Sequence, residues 1–226
     1  MTQEENPQNR AKIPLSVLIE VLLLFCVFYL PSYLFPRASG NEFNQPIFHV
    51  QIWLTAIPQS GLIIYLVTRR TGSLKGIGLR KPGIGELLAI IPLVIGLFLC
   101  AAGSVALTRK VSELTDTGFW NLSNRRIIPL LVPTCLVTGY SEEFFFRGYL
   151  ISSMEEAGAK AGTAAVLSSL LFTAGHGYEG GAGLLLAFLA GLLLSAGFVK
   201  TRNIHTIGIA HGLYNFITLV VFSVNI

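Results

Sequence analysis

Seven continuous apolar runs, most of them near twenty residues long, constrain this 226-residue chain more than anything else in it. A helix needs about 20 apolar residues, rising 1.5 Å each, to cross roughly 30 Å of hydrocarbon. The runs fall at approximately 14–36, 49–68, 84–108, 127–153, 162–178, 181–199 and 204–224. An outer-membrane barrel would show alternating segments of about ten residues instead. The expected fold class is therefore all-α, a polytopic transmembrane helical bundle of about seven spans. Charged residues make up 12% of the chain, about half the share found in soluble domains, so no soluble domain of ordinary size fits beside the bundle.

The apolar stretch from Pro14 to Phe35 is too long for a signal-peptide core and lacks a convincing small-residue cleavage site, so it reads as a retained first span. Cys26, Cys100 and Cys135 all fall within apolar runs and read as small buried hydrophobes, not as a disulfide framework or metal knot. A net charge of +4 raises the question of nucleic acid, but most basic residues flank apolar runs, as orientation signals do. The densest cluster is Arg69, Arg70, Lys75, Arg80 and Lys81. Setting it in the cytoplasm brings Arg10, Lys12, Lys160, Lys200 and Arg202 to the same side and leaves Arg37, Arg109, Lys110, Arg125 and Arg126 opposite, ten against five. The loop 109–126 also carries Glu113 and Asp116 and has the character of an interfacial helix.

In the sixth run Gly183, Ala187, Gly191 and Ser195 recur every four residues, a smooth face that lets helices approach closely in lipid. The expectation is a buried central helix with no functional content in that stripe.

Chemistry concentrates in the fourth run. Glu142 and Glu143 sit inside an apolar stretch, and Arg147 follows. An ionisable side chain at membrane depth costs about 2.5–3.5 kcal/mol even on the lenient insertion scale, so such residues usually face the interior and serve a function. Glu143 and Arg147 are four apart and can pair on one helical face, whereas Glu142 points about 100° away. That leaves Glu142 as the acid suited to general-base work. The structural alternative is an ion cluster that only locks helix packing.

Two further elements share the four-residue spacing: Phe172-Thr-Ala-Gly-His176 and His211-Gly-Leu-Tyr-Asn215. His49 and His205 lie near segment boundaries and read as interfacial or hydrogen-bonded histidines. Counting from Ala159, Glu142 is seventeen residues before and His176 seventeen after, so antiparallel helices would bring both to one height, about 25 Å from the turn. His211 fits less neatly. It lies only about ten residues past the Lys200–Asn203 turn, so its helix must start deeper or sit shifted.

Together the elements resemble the signature of the CPBP family, the type II CAAX prenyl endopeptidases and bacteriocin-processing or self-immunity proteins. Its motifs EExxxR, [FY]xxxH and HxxxN are matched by Glu142-Glu143-Phe-Phe-Phe-Arg147, Phe172-Thr-Ala-Gly-His176 and His211-Gly-Leu-Tyr-Asn215. The resemblance covers about 127–220. It divides the chain into N-terminal spans, 1–126, and a CPBP-type catalytic membrane core, 127–226; the first hundred residues contribute only spans. It implies an intramembrane endopeptidase opening toward the cytoplasm. Glu142 would be the catalytic glutamate, His176 would help hold the attacking water, His211 and Asn215 would stabilise the oxyanion, and Glu143, Arg147 and Phe172 would support them.

Glutamate with two histidines is also a zinc ligand set, here Glu142, His176 and His211. The chain lacks the His-Glu-x-x-His pattern, and metal-independent glutamate catalysis is the favoured expectation, with zinc as the alternative cofactor. Asp116 is the single aspartate, which rules out a paired-aspartate mechanism, and Ser141 reads as a helix hydroxyl bonding to backbone. Competing functions are a non-catalytic membrane binding or immunity module and a proton-coupled carrier; the absence of evident inverted repeats argues against the carrier. The expected partners are a peptide or membrane-protein substrate, prenylated or not, and the lipid bilayer, without nucleic acid. Short loops point to a bacterial plasma membrane.

Overall fold

The computed structural model describes residues 15–31, 42–108 and 124–223. Arg10, Lys12, Arg37, Arg109, Lys110, Glu113 and Asp116, with the two ends of the first apolar run and most of the loop 109–126, lie outside the described residues. Every apolar run forms a helix where it was expected. The elements are α1 (Leu15–Tyr29), α2 (Pro46–Thr71), α3 (Ile84–Leu88) leading into α4 (Ile90–Thr108), α5 (Ile128–Glu143), a π-helical segment (Phe144–Ile151) leading into α6 (Ser152–Glu156), α7 (Ala161–Gly175), α8 (Gly180–Thr201) and α9 (Ile204–Ser223). Among the described residues there is no strand.

Among the described residues four stretches are long and apolar enough to cross a membrane: Pro46–Thr71, Ile84–Thr108, Gly177–Thr201 and Ile204–Val221. The helices α1 and α7 are apolar but only 15 residues each, about 22 Å of rise. The molecule is an integral membrane bundle, and the described residues form seven helical passes.

Local chemistry sets the helix limits. Pro46 occupies the first turn of α2, where its missing N–H is no loss. Gly72 ends that helix at φ 68°, a left-handed cap whose N–H bonds Thr68 O at 2.9 Å. Arg202 closes α8 in the same region at φ 49° without being glycine, and its guanidinium is held by Glu155 at 2.6 Å.

One end of the bundle is a polar cap. Ser152 donates to Gly76 O at 3.0 Å, Asn203 to Arg80 O at 3.1 Å, and Arg70 meets Ser153 at 2.7 Å and Glu156 at 3.2 Å. Arg202 pairs with Glu155, whose hydrogen bonds hold its guanidinium further above the ordinary arginine value. The basic loop after α2, the turn before α7 and the turn before α9 therefore share one end, as the lysine and arginine counts grouped them. Arg125 and Arg126 sit at the other, where the Asn124 N–H donates to Asn44 Oδ1 at 2.8 Å.

The awkward offset of α9 has a simple cause. The basic loop folds into the end of the bundle, burying Ile77, and its Gly78 carbonyl accepts the Ile204 N–H at 2.9 Å. Gly148 lies against both: a Cβ there would stand 3.2 Å from Ile77 O and 3.5 Å from Ile204 Cδ1. α9 thus begins at the depth of Gly148 rather than at the bundle's rim, which brings His211 level with the glutamates.

The centre of the bundle differs from expectation. From Ser141 to Met154 every residue is buried except Glu142. The fourth pass, not α8, is the central one, and α8 lays its small-residue face against the layer around it. Within this pass the helix widens to π turns from Phe144 onward, directly after the glutamates. Such widening inside a helix is frequent at functional positions.

Candidate active site

The site forms where α5 crosses α9, and glycine makes that crossing possible. A Cβ on Gly139 would lie 2.8 Å from the Gly212 nitrogen and 3.2 Å from Gly208 O, so the two backbones are in contact. Gly212 adjoins His211, and Gly139 precedes the glutamates by one turn. The close approach therefore delivers the imidazole to the carboxylates. The i,i+4 pair Gly208 and Gly212 was a readable signal, but sequence reasoning singled out only the stripe on α8.

A buried polar chain runs from this crossing into the bundle. Arg147 Nη1 donates to Glu143 Oε1 at 2.9 Å, with both side chains fully buried. Its Nη2 donates to Gly191 O at 3.1 Å and its Nε to Ser195 Oγ at 3.4 Å, while the guanidinium lies 4.5 Å from the Phe172 ring centre. The small residues of α8 thus do more than permit packing. Gly191 and Ser195 leave room for the guanidinium and accept its protons, a role the expectation denied them.

Glu143 also holds His211, whose Nδ1 stands 2.8 Å from Glu143 Oε1. A carboxylate can only accept, so Nδ1 carries the proton and Nε2 is turned to the other side. There it faces Glu142 Oε2 at 3.7 Å. Glu142 keeps 18% of its side chain exposed, against none for Glu143. The neighbouring acids therefore differ in kind: one is locked in a buried ion pair and the other is accessible.

His176 lies just past α7, half-buried. Its Nδ1 donates to Phe172 O at 2.8 Å, which leaves Nε2 as the lone pair of the neutral ring. Phe172 is the common neighbour, with ring centres 4.3 Å from His176 and 6.0 Å from His211. Asn215 stands one turn beyond His211 on α9, half-buried. Glu142, Glu143, Arg147 and His211 are in direct sequence, and His176 is one aromatic ring away; Asn215 is placed by its turn on α9 alone.

The zinc alternative is less well served. Glu142 and His211 are spaced as two ligands of one ion could be, but among the described residues no three His, Cys, Asp or Glu side chains gather closely enough to hold a metal. The set Glu142, His176 and His211 does not close as a metal centre in this arrangement.

The remaining polar residues fill structural roles. His49 is buried between Thr134 Oγ1 at 2.9 Å and Phe43 O at 3.0 Å, and His205 meets the Tyr140 hydroxyl at 3.0 Å. Ser141 donates to a backbone carbonyl as expected, but to Ala56 of α2, at 3.2 Å, rather than within its own helix. Of the cysteines, Cys135 is buried, Cys100 partly so, and Cys26 faces outward on α1, against the expectation of three buried thiols.

Sequence reasoning placed α1 as the first span but gave it no part near the site. Tyr29, at its end, packs its ring 4.8 Å from Phe146 and 5.4 Å from Phe145, and interacts electrostatically with Glu142, Arg147 and Glu143. Glu20, inside the first apolar run, accepts a hydrogen bond from the Tyr149 hydroxyl.

Residues 124–217 match the model of the Rce1-like family, described as type II CAAX prenyl endopeptidase Rce1-like. The matched stretch holds all three motifs, in agreement with the resemblance read from them. No curated protein and no solved structure matches the chain.

Proposed function

We propose, from the Rce1-like family match over residues 124–217, that the protein is an intramembrane endopeptidase that hydrolyses a peptide bond with water activated by Glu142. One observation carries the reading: Glu142 is the single residue between Ser141 and Met154 that is not buried, and its carboxylate faces an imidazole whose far nitrogen is fixed by Glu143. An accessible acid beside a locked one is the division of labour that general-base chemistry needs.

In the proposed reaction Glu142 accepts a proton from water as the water oxygen bonds to the scissile carbonyl carbon. The carbonyl π electrons move to oxygen, where the Asn215 amide and His211 act as donors, His211 in its imidazolium form, with Nδ1–H on Glu143 and Nε2–H free to donate. His176, anchored by its Nδ1–H on Phe172 O, offers Nε2 to orient the water. Collapse of the intermediate breaks the C–N bond, and the proton held by Glu142 passes to the leaving amine. Glu143, held by Arg147, fixes the His211 ring through its Nδ1–H. No step is routed through a metal, because the residues present do not converge on one.

The polar cap that carries the basic loop is assigned to the cytoplasm of a bacterial plasma membrane, and the substrate to a peptide or membrane-protein segment, prenylated or not. The test is a peptide library presented to purified protein, with Glu142→Gln, His176→Ala and chelator-treated samples in parallel. The reading expects mapped cleavage by unaltered protein, its loss in both variants, and no effect of chelator. Retained function in Glu142→Gln would establish the binding or immunity module instead, since the amide can still bind but cannot take a proton. Loss of cleavage on chelation, restored by zinc, would replace the metal-free route.

A further inference from the structure

We infer that Tyr29 of α1 is a positioning residue for Glu142, and that the Glu20–Tyr149 hydrogen bond holds α1 in place so that it can act. The inference rests on the proposed hydrolytic role of Glu142 and extends the site beyond the stretch 124–217 that carries the family motifs.

Two features distinguish α1 from the other helices. Its backbone is not packed closely along any neighbour. Half of its large apolar side chains, including Leu15, Ile19, Leu22, Leu23 and Val27, are exposed and face the lipid of a membrane-embedded bundle. It joins the bundle through the aliphatic side chains of Val17, Val21 and Leu24, an aromatic face and a polar bond. The face consists of Phe25, Phe28 and Tyr29 against Phe145 and Phe146, with centroid separations from 4.8 to 6.5 Å. The polar bond joins Glu20 to the Tyr149 hydroxyl, and Arg70 stands 5.5 Å over the Tyr149 ring.

The aromatic face has a definite address. Phe145 and Phe146 follow the two glutamates in the π-helical segment. On the far side, a Cβ at Gly175 would stand 3.3 Å from the Tyr29 ring, and Gly175 immediately precedes His176. Tyr29 is therefore wedged between the segment that bears the catalytic acid and the residue that leads into His176. Glu142, Glu143 and Arg147 are the charged groups within electrostatic reach of its phenol. A phenol placed there is a donor for a carboxylate that must hold one rotamer while it takes a proton from water.

The bond at Glu20 has its own logic. A carboxylate among the exposed apolar residues of α1 is expensive in hydrocarbon unless it has a partner. Tyr149 supplies that partner two helical turns from the wedge, so the same bond that neutralises the cost fixes how far along the bundle α1 rests.

The test measures kcat and KM for the library peptide cleaved fastest by the unaltered full-length protein, in lipid nanodiscs. Tyr29→Phe keeps the ring in its wedge and removes only the hydroxyl. It should lower kcat about 10- to 100-fold with KM nearly unchanged, the loss expected for a hydrogen bond to a charged group. Glu20→Gln and Tyr149→Phe should each lower kcat by about 3- to 10-fold, and neither should lower it further in the Tyr29→Phe background, because both act through Tyr29. Tyr29→Phe at full kcat, or effects that multiply in the double variants, would overturn the inference while leaving the hydrolytic reading intact, provided Glu142→Gln is dead in the same preparation. Glu142→Gln as active as the unaltered protein would bring down both.

Discussion

Ion pairs occur in two regions of this bundle, and they are not the same interaction. At the centre, Glu143 and Arg147 are fully buried, and the guanidinium has three further partners in Gly191, Ser195 and the Phe172 face. At the polar cap, Arg70 and Glu156 keep 31% and 46% of their side chains exposed, and Arg202 and Glu155 keep 40% and 22%. Distances do not separate the two regions: 2.9 Å at the centre and 3.2 Å for Arg70 with Glu156. Surroundings do. Removing one partner of a buried pair strands the other charge, at a cost of about 3–5 kcal/mol, whereas an exposed pair contributes about 0–1 kcal/mol.

The largest effect should come from Arg147→Ala, a destabilisation of about 3–5 kcal/mol with loss of folded protein, read by unfolding in detergent against denaturant. Arg147→Lys keeps the charge but not the fork that reaches Glu143, Gly191 and Ser195 together, and should recover only part of this. Stability close to that of the unaltered protein for Arg147→Ala would mean the centre behaves like the cap. Glu142→Gln comes next and separates function from fold at adjacent positions. Cleavage should fall by about 10²- to 10⁴-fold while unfolding changes little, since Glu142 is partly exposed and its neighbour His211 keeps its bond to Glu143.

That contrast between neighbours was legible in the sequence, because helical geometry alone pairs residue 143 with residue 147 and turns residue 142 away. The seven helices were legible for the same reason: hydropathy and length act locally. What lay hidden was set by contacts between distant segments. The depth of α9 depends on a loop 120-odd residues earlier folding under Ile204, as the Arg80 to Arg202 contact spans 122 positions. Tyr29 reaches Phe145 and Phe146, just past the glutamates, through an aromatic wedge that no spacing rule describes, and the partner of Glu20, Tyr149, lies 129 positions away. The α8 stripe was seen but undervalued, because a small residue advertises space and not what fills it. Here the filler is the Arg147 guanidinium.

A third test joins the two regions' logic to the crossing that builds the site. Gly139→Val places atoms where the Gly212 backbone already stands, and overpacking of this kind costs about 1–3 kcal/mol. The helices can yield only by separating, which draws His211 from Glu143 and Glu142. Cleavage should therefore fall by more than the stability loss explains. Gly162→Val, at a glycine with nothing near its Cβ position, is the matched control and should leave cleavage unchanged. Equal behaviour of the two variants would show that the close approach is incidental to the site.

The smallest effect belongs to the cap, and it is the one that checks the comparison from the other side. Glu156→Gln removes the more exposed partner of Arg70 and leaves that arginine its bond to Ser153 and its place over Tyr149. Water and salt can take up the freed charge, so the loss should be no more than about 1 kcal/mol and should shrink further as ionic strength rises and the Debye length falls below about 8 Å. The buried pair has no such recourse, and the deficit of Arg147→Ala should persist at every salt concentration. A salt-independent loss at Glu156 comparable to that at Arg147 would place the cap out of water. The basic loop could then not lie in the cytoplasm, and the expected opening of the site toward that side would fall with it.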